Sequence, residues 1–212
     1  LPFGTAHILP NHTNILWINM SAPSLGDSLM DLSSRILIND RMVDLFTDKK
    51  NAELYTDDKN FRHVYTSKTE VNASKYDLVI IDSYSTRSVN IKAAIAPKIP
   101  FIGIYAYFNG PEVNRVLFSF YRLNQLLGST YSKWEINKIA KTSIAISSSD
   151  KAIVRKEKLP SSFITIAIGG EWEHRTYKKW DELIRLLFEQ DNNINIVLVG
   201  SSNAIQTSKK LL

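Results

Sequence analysis

A chain of 212 residues, 44% hydrophobic and with four Trp and nine Phe, has enough apolar material for one large domain or one domain and part of another. No apolar run approaches the ~20 residues that span a bilayer, and the absence of cysteine excludes disulfides, thiolate catalysis and Cys-zinc sites. A net charge of +5 points to anionic ligands or surfaces, with nucleic acid, phosphorylated sugars and anionic lipid all compatible.

The first residues, "LPFGTAHILPNHTN", lack the basic start and long apolar centre of a signal peptide, and Leu1 is not a start methionine, so the chain is expected to begin inside a longer product. "ILWINM" (15–20) reads as a buried strand, followed by a loop and a helix from about Asp27 to Ile38. "MVDLFT" (42–47) is the next strand, "NAELYTD" a short helix and "FRHVYT" (61–66) a short strand. "YDLVIID" (76–82) is the clearest strand, with a helix from about Arg87 to Ala96 and a strand over "PFIGIYA" (100–106) after it. Val113, Val116, Leu117, Phe120, Leu123 and Leu127 then recur at helical spacing, with Gly128 as a C-cap.

Short strands alternating with helices of this length predict βαβ units and a parallel sheet covered on both faces. From Ser129 to Ser161 the composition turns polar and charged, which suggests an interdomain connection. The β/α rhythm restarts with "FITIAI" (163–168), a Gly-Gly loop, the helix "KWDELIRLLFEQ" (179–190) and the strand "INIVLVG" (194–200). The expected organisation is an N-terminal α/β domain over 1–128, a connection over 129–161 and the start of a second domain over 162–212. Two strands are too few for a doubly wound domain, so the second is expected to be incomplete here.

Ligands of open α/β sheets bind at the carboxyl ends of the strands, and three loops there carry unusual chemistry. In Ser21–Ser28, Gly26 allows close backbone approach and Asp27 sets a carboxylate beside free N–H groups. It reads either as a helix cap, which the local sequence favours, or as a general base for a hydroxyl. In "DSYSTRS", Asp82 reads as a cap for the next helix, and Arg87 as either an anion ligand or an ion-paired residue at the helix start. In "GGEWEHRTYKKW", Gly169 and Gly170 precede Arg175, Lys178 and Lys179, which suits a diphosphate as well as it suits a solvated basic turn. The four histidines have no i, i+4 pairing, and no GxGxxG, P-loop or GxSxG pattern is present. Lys49-Lys50 and "KAIVRKEK" read as solvated faces, with lipid docking the lesser alternative.

In order and spacing these segments resemble glycosyltransferase family 9, the ADP-heptose:lipopolysaccharide heptosyltransferases. "SLGD" after the first strand looks like that family's Gly-Asp motif, and "YDLVIIDSYSTRS" its second conserved segment. "NRVLFSFYRLNQLLG" looks like its helix before the crossover, and "ITIAIGGEWEHRTYKKWDELIRLL" with "INIVLVG" like the start of its donor half. The chain departs from the family pattern in "SLMDLSS" after Gly-Asp, in "DSYS" and in "IGGEW". A later Asp-Thr-Gly-x-x-His motif has no counterpart before Leu212.

The resemblance implies a GT-B-like α/β architecture of two Rossmann-like domains facing a cleft, and an inverting, metal-independent transferase that needs no cofactor. Its donor would be a nucleotide sugar such as ADP-heptose, and its acceptor an anionic lipid-linked glycan of lipopolysaccharide type rather than nucleic acid. The setting would be bacterial and cytoplasmic, peripheral on the inner face of the inner membrane. Asp27 would be the catalytic base, with Gly26 and Arg87 at the acceptor and Gly169, Gly170 and Lys178 at the donor diphosphate. Two alternatives stay open: a GT-B enzyme with another nucleotide sugar (another transferase or an epimerase), and a non-catalytic sugar- or nucleotide-binding module.

Overall fold

Every side chain of the strand β1 (Asn14–Asn19) after Asn14 is buried, the signature of a strand covered on both faces and paired on both edges. The computed structural model, which describes residues 3–105, 114–169, 174 and 176–211, sets β1 at the centre of a five-stranded parallel sheet. Its partners are β2 (Met42–Thr47) on one side and β4 (Leu78–Ser83) on the other, with Ile15 aligned to both Val43 and Leu78. The short β3 (Val64–Tyr65) and β5 (Phe101–Tyr105) complete the order β3-β2-β1-β4-β5. This is the strand order of a Rossmann half, in which the chain reverses its direction of winding between β1 and β4.

Alternation along the strands sorts the core into two layers. Ile15 and Trp17, with Val43, Leu45, Leu78, Ile80, Ile102 and Ile104, pack on one face. Helix α1 (Leu25–Asp31), the 3₁₀ segment Ser33–Ile38, α4 (Arg115–Leu126) and α5 (Lys133–Ile139) cover that face through Leu32, Ile38, Phe120, Leu123 and Ile136. Leu16, Ile18, Phe46, Val79 and Ile81 face the other way, against Ile95 and Ala96 at the end of α3 (Thr86–Ile95).

The expected helix over 27–38 starts earlier and breaks in the middle. Ser24 is its N-cap, accepting from the Asp27 N–H, so Asp27 is the third helical residue and not the cap. After Asp31 the α-helix gives way to the 3₁₀ turn, where the Ser33 hydroxyl donates to the Met30 carbonyl at 2.7 Å and competes with the helical ladder. The expected short helix over "NAELYTD" is instead α2 (Lys49–Ala52). Two helices occupy the polar stretch expected as a connection. One is α5, seated on α4 through the fully buried Ile136; the other is α6 (Ser148–Lys156).

The chain divides into two units, residues 1–146 and 147–212. In the second, β6 (Ile164–Ala167) and β7 (Ile196–Val199) form a parallel pair. Ile166, Ile168 and Ala204 are its buried core, against Trp180, Ile184 and Leu187 of α7 (Trp180–Gln190), with α8 (Ile205–Leu211) following. Among the described residues no helix is long and apolar enough to cross a membrane.

One buried ion pair fastens the first unit. Arg35, 2% exposed, donates through Nε to Asp58 Oδ2 at 2.7 Å and through Nη1 to the Leu32 carbonyl at 3.0 Å. Asp58→Ala strands that guanidinium without its counter-charge, so the substitution is expected to lower stability by about 3–5 kcal/mol in urea unfolding. Lysine residues exposed elsewhere, such as Lys59, should tolerate alanine within ~0.5 kcal/mol.

Candidate functional site

The carboxyl ends of β1 and β4, where the strand order reverses, converge on Asp82. Its Oδ2 accepts from the Ser21 N–H at 2.6 Å and the Asn19 amide at 3.3 Å. Its Oδ1 accepts from the Ser83 N–H at 2.7 Å, the Ser88 hydroxyl at 2.5 Å and the Ser21 hydroxyl at 3.1 Å. Burial pushes the Asp82 carboxyl above the usual carboxylate range, opposed by these hydrogen bonds from Ser88, Ser21 and Ser83. Asp82 is therefore a tie between two strand ends and not the cap expected of it; Ser85 caps α3, accepting from the Ser88 N–H. The network continues from Asn19 Oδ1 to the Ser28 hydroxyl at 2.6 Å, which lies 2.9 Å from the Tyr55 hydroxyl.

Asp27 stands at the mouth of this network, on the helix that leaves β1, with its side chain 22% exposed. Ser24 Oγ donates to its Oδ2 at 2.6 Å and Arg115 Nη1 to its Oδ1 at 2.9 Å. Arg115 in turn grips Asp31 with Nε at 2.7 Å and Nη2 at 2.9 Å, and its guanidinium carbon lies 5.6 Å from the Tyr105 ring centre. Asp31 is 2% exposed. Burial pushes its carboxyl up to about 6, against the hydrogen bonds and charge of Arg115 and with the nearby Asp82 charge adding to the rise.

The other expected site residues fall as follows. Among the described residues, a Cβ at Gly26 would meet only Ser24 Oγ, at 3.9 Å. Arg87, 56% exposed, donates to Asp48 Oδ1 at 2.6 Å, at the carboxyl end of β2. Gly169 has a packing reason to be glycine, since a Cβ would lie 2.8 Å from Asn203 Oδ1 and 3.1 Å from Ala204 Cβ. Gly170 and Arg175 lie outside the described residues. Lys178 lines a cavity of about 630 Å³ in the second unit with Thr176, Tyr177, Asp181, Thr207 and Lys210. Among the described residues no group of three or more His, Asp or Glu stands ready to hold a metal ion.

Asp31 and Arg115 were not legible as site residues. Arg115 lies 84 and 88 positions from its two carboxylate partners, and the helical spacing that placed it on α4 carries no sign of them. The i, i+4 spacing of Asp27 and Asp31 was the available signal, because two carboxylates on one helical face call for a cation.

The strand order defines a Rossmann-type α/β fold, with the candidate site at its switch point. No protein-family model and no curated sequence matches the chain. Solved structures do. The crystal structure of a family 9 glycosyl transferase from Veillonella parvula DSM 2008 covers 97% of the chain at 12% identity, with a TM-score of 0.74, and the chain covers 68% of it. The E. coli heptosyltransferase WaaC with ADP-2-deoxy-2-fluoro heptose matches 93% of the chain at 18% identity and a TM-score of 0.61, over 72% of its own length. E. coli ADP-heptose lps heptosyltransferase II matches 93% at 15% identity and 0.64, over 67% of its length. The chain thus shares the fold of family 9 glycosyltransferase structures.

The raised Asp31 carboxyl makes a stability prediction. The folded chain holds that proton more tightly than the unfolded one, so folding loses stability as pH rises from about 4 through 6, and the deficit is complete above that. Asp31→Asn removes the titration. Urea unfolding from about pH 4 to pH 7 should show the variant gaining ~2–3 kcal/mol relative to the parent over that interval.

Proposed function

We propose that the protein is a glycosyltransferase that moves a sugar, heptose in the first instance, from a nucleotide diphosphate to an anionic, lipid-linked surface glycan. The observation that carries this reading is Asp27: a reachable carboxylate, fixed by Ser24 and Arg115, at the switch point of a fold shared with family 9 glycosyltransferases. In a GT-B division of labour the first unit takes the acceptor and the second the nucleotide sugar. The basic net charge suits an anionic acceptor at the cytoplasmic face of a membrane.

In the proposed reaction the Asp27 carboxylate takes the proton of an acceptor hydroxyl as its oxygen attacks the anomeric carbon. The bond from that carbon to the diphosphate oxygen breaks on the opposite face, and its electron pair leaves with the nucleotide. A single displacement inverts the anomeric configuration. Lys178 offsets the charge growing on the leaving diphosphate, which approaches the backbone at Gly169 and Gly170. The backbone at Gly26 and the half-exposed Arg87 serve the acceptor. An acceptor anion competes with Asp48 for that guanidinium, so its contribution is modest. The chemistry calls on no metal ion or cofactor.

With ADP-heptose and a lipopolysaccharide core as substrates, Asp27→Asn is expected to slow transfer by ~10²–10⁴-fold while ADP affinity, measured by calorimetry, stays at the parent value. Lys178→Ala should weaken ADP binding by about 10-fold or more, the loss of one charge-assisted hydrogen bond. ADP binding without turnover by the parent chain would identify a binding module instead.

A further inference from the structure

Asp27 and Asp31 sit one turn apart on α1, a spacing at which like charges repel, and one cation from α4 serves both. Arg115 presents the Nε–Nη2 edge to Asp31 in a two-pronged pair at 2.7 and 2.9 Å, which leaves Nη1 to reach Asp27 Oδ1 at 2.9 Å. The planar fork makes these contacts interdependent: where Asp31 fixes one edge, the direction of Nη1 follows.

The Asp31 carboxylate is not needed to dock α4. Ser119, one turn beyond Arg115, donates to the Asp31 backbone carbonyl at 2.8 Å, and its hydroxyl lies 2.7 Å from that of Ser34. Phe120 and Leu123 anchor the same helix in the core. Nor does the charge serve solubility, since Asp31 is 2% exposed. Among the described residues, the titratable groups around it include Arg115 from α4, Tyr105 from β5, Asp82 from β4, Tyr55 from the segment after α2 and Asp27 from its own helix. Its carboxyl is raised toward protonation even with Arg115 beside it, so burying the charge weakens the fold at neutral pH. A costly buried charge joined to an accessible carboxylate through one shared guanidinium is the pattern of a functional site.

We infer that Asp31 is a positioning residue for Asp27: by gripping Arg115 on two prongs it fixes the Nη1 donor and so aims the Asp27 carboxylate. The inference rests on the reading of Asp27 as the base. The aiming is geometric. Ser24 holds one carboxylate oxygen and Arg115 the other, so a guanidinium free to swing releases the carboxylate to rotate about its last bond.

The test uses the full chain and two readouts. The ¹³Cγ resonance of Asp27, assigned by its loss in Asp27→Asn, is recorded near pH 7. It should move in Asp31→Asn and in Arg115→Lys, which keeps the charge but not the fork, and stay in place in Asp57→Asn, an exposed control. In the ADP-heptose assay, Asp31→Asn should lower kcat by about 10- to 100-fold with KM little changed. An unmoved Asp27 resonance in both variants, or a kcat retained in Asp31→Asn, overturns the inference. If Asp31→Asn does not fold, Arg115→Lys carries both readouts with the same expected directions. Failure of the underlying reading looks different: Asp27→Asn would then keep its transfer rate, whatever the resonance does.

Discussion

A parallel sheet that reverses its winding between two neighbouring strands leaves their carboxyl ends without a common helix to satisfy them. In this protein Asp82 meets that demand. One buried carboxylate receives the backbone N–H groups of Ser21 and Ser83, one from the exit of each strand, together with the hydroxyls of Ser21 and Ser88 and the amide of Asn19. Both loops that carry polar chemistry start from this knot. The path of the chain out of β1 sets where Ser24 begins α1, and hence where Asp27 emerges.

The same edge concentrates negative charge that the fold would be easier to build without. Asp82 and Asp31 are both buried, both are raised above ordinary carboxylates by desolvation, and the Asp82 charge adds to the rise at Asp31. Arg115 partly compensates, and its stacking near Tyr105 keeps it at the site. Elsewhere the first unit pairs its buried charges more completely: Asp44 receives Arg62 on both oxygens and the Tyr76 hydroxyl, which together hold its carboxyl low despite its burial. That contrast between Asp44 and Asp31 separates a carboxylate that fastens the fold from one that strains it.

Much of the scaffold was legible because its signals are local. The strand over 42–47 appears with the bounds read from its apolar run, and the helix at 86–95 within a residue of the expected 87–96, since periodicity is a property of neighbouring residues. The helix after β1 was placed two residues late because Asp27 and Ser24 are both good caps, and only the geometry selects Ser24. Asp27 was singled out through its glycine and its place after a strand. Its partners were not, because an ion pair spanning 88 positions leaves no periodic trace. Gly169 shows the converse: a glycine after a strand suggested phosphate, and its structure also gives it a packing role against Asn203 and Ala204.

At the centre of this account is a carboxylate base driving one displacement at an anomeric carbon, and the stereochemistry of the product reports on that step alone. The chain would be incubated with ADP-heptose of known configuration and a lipopolysaccharide core, and the anomeric proton of the transferred sugar followed by NMR. The account predicts release of ADP and a product whose linkage has the configuration opposite to the donor's. Retention of the donor configuration would require a second displacement through a nucleophile on the protein, and would contradict it.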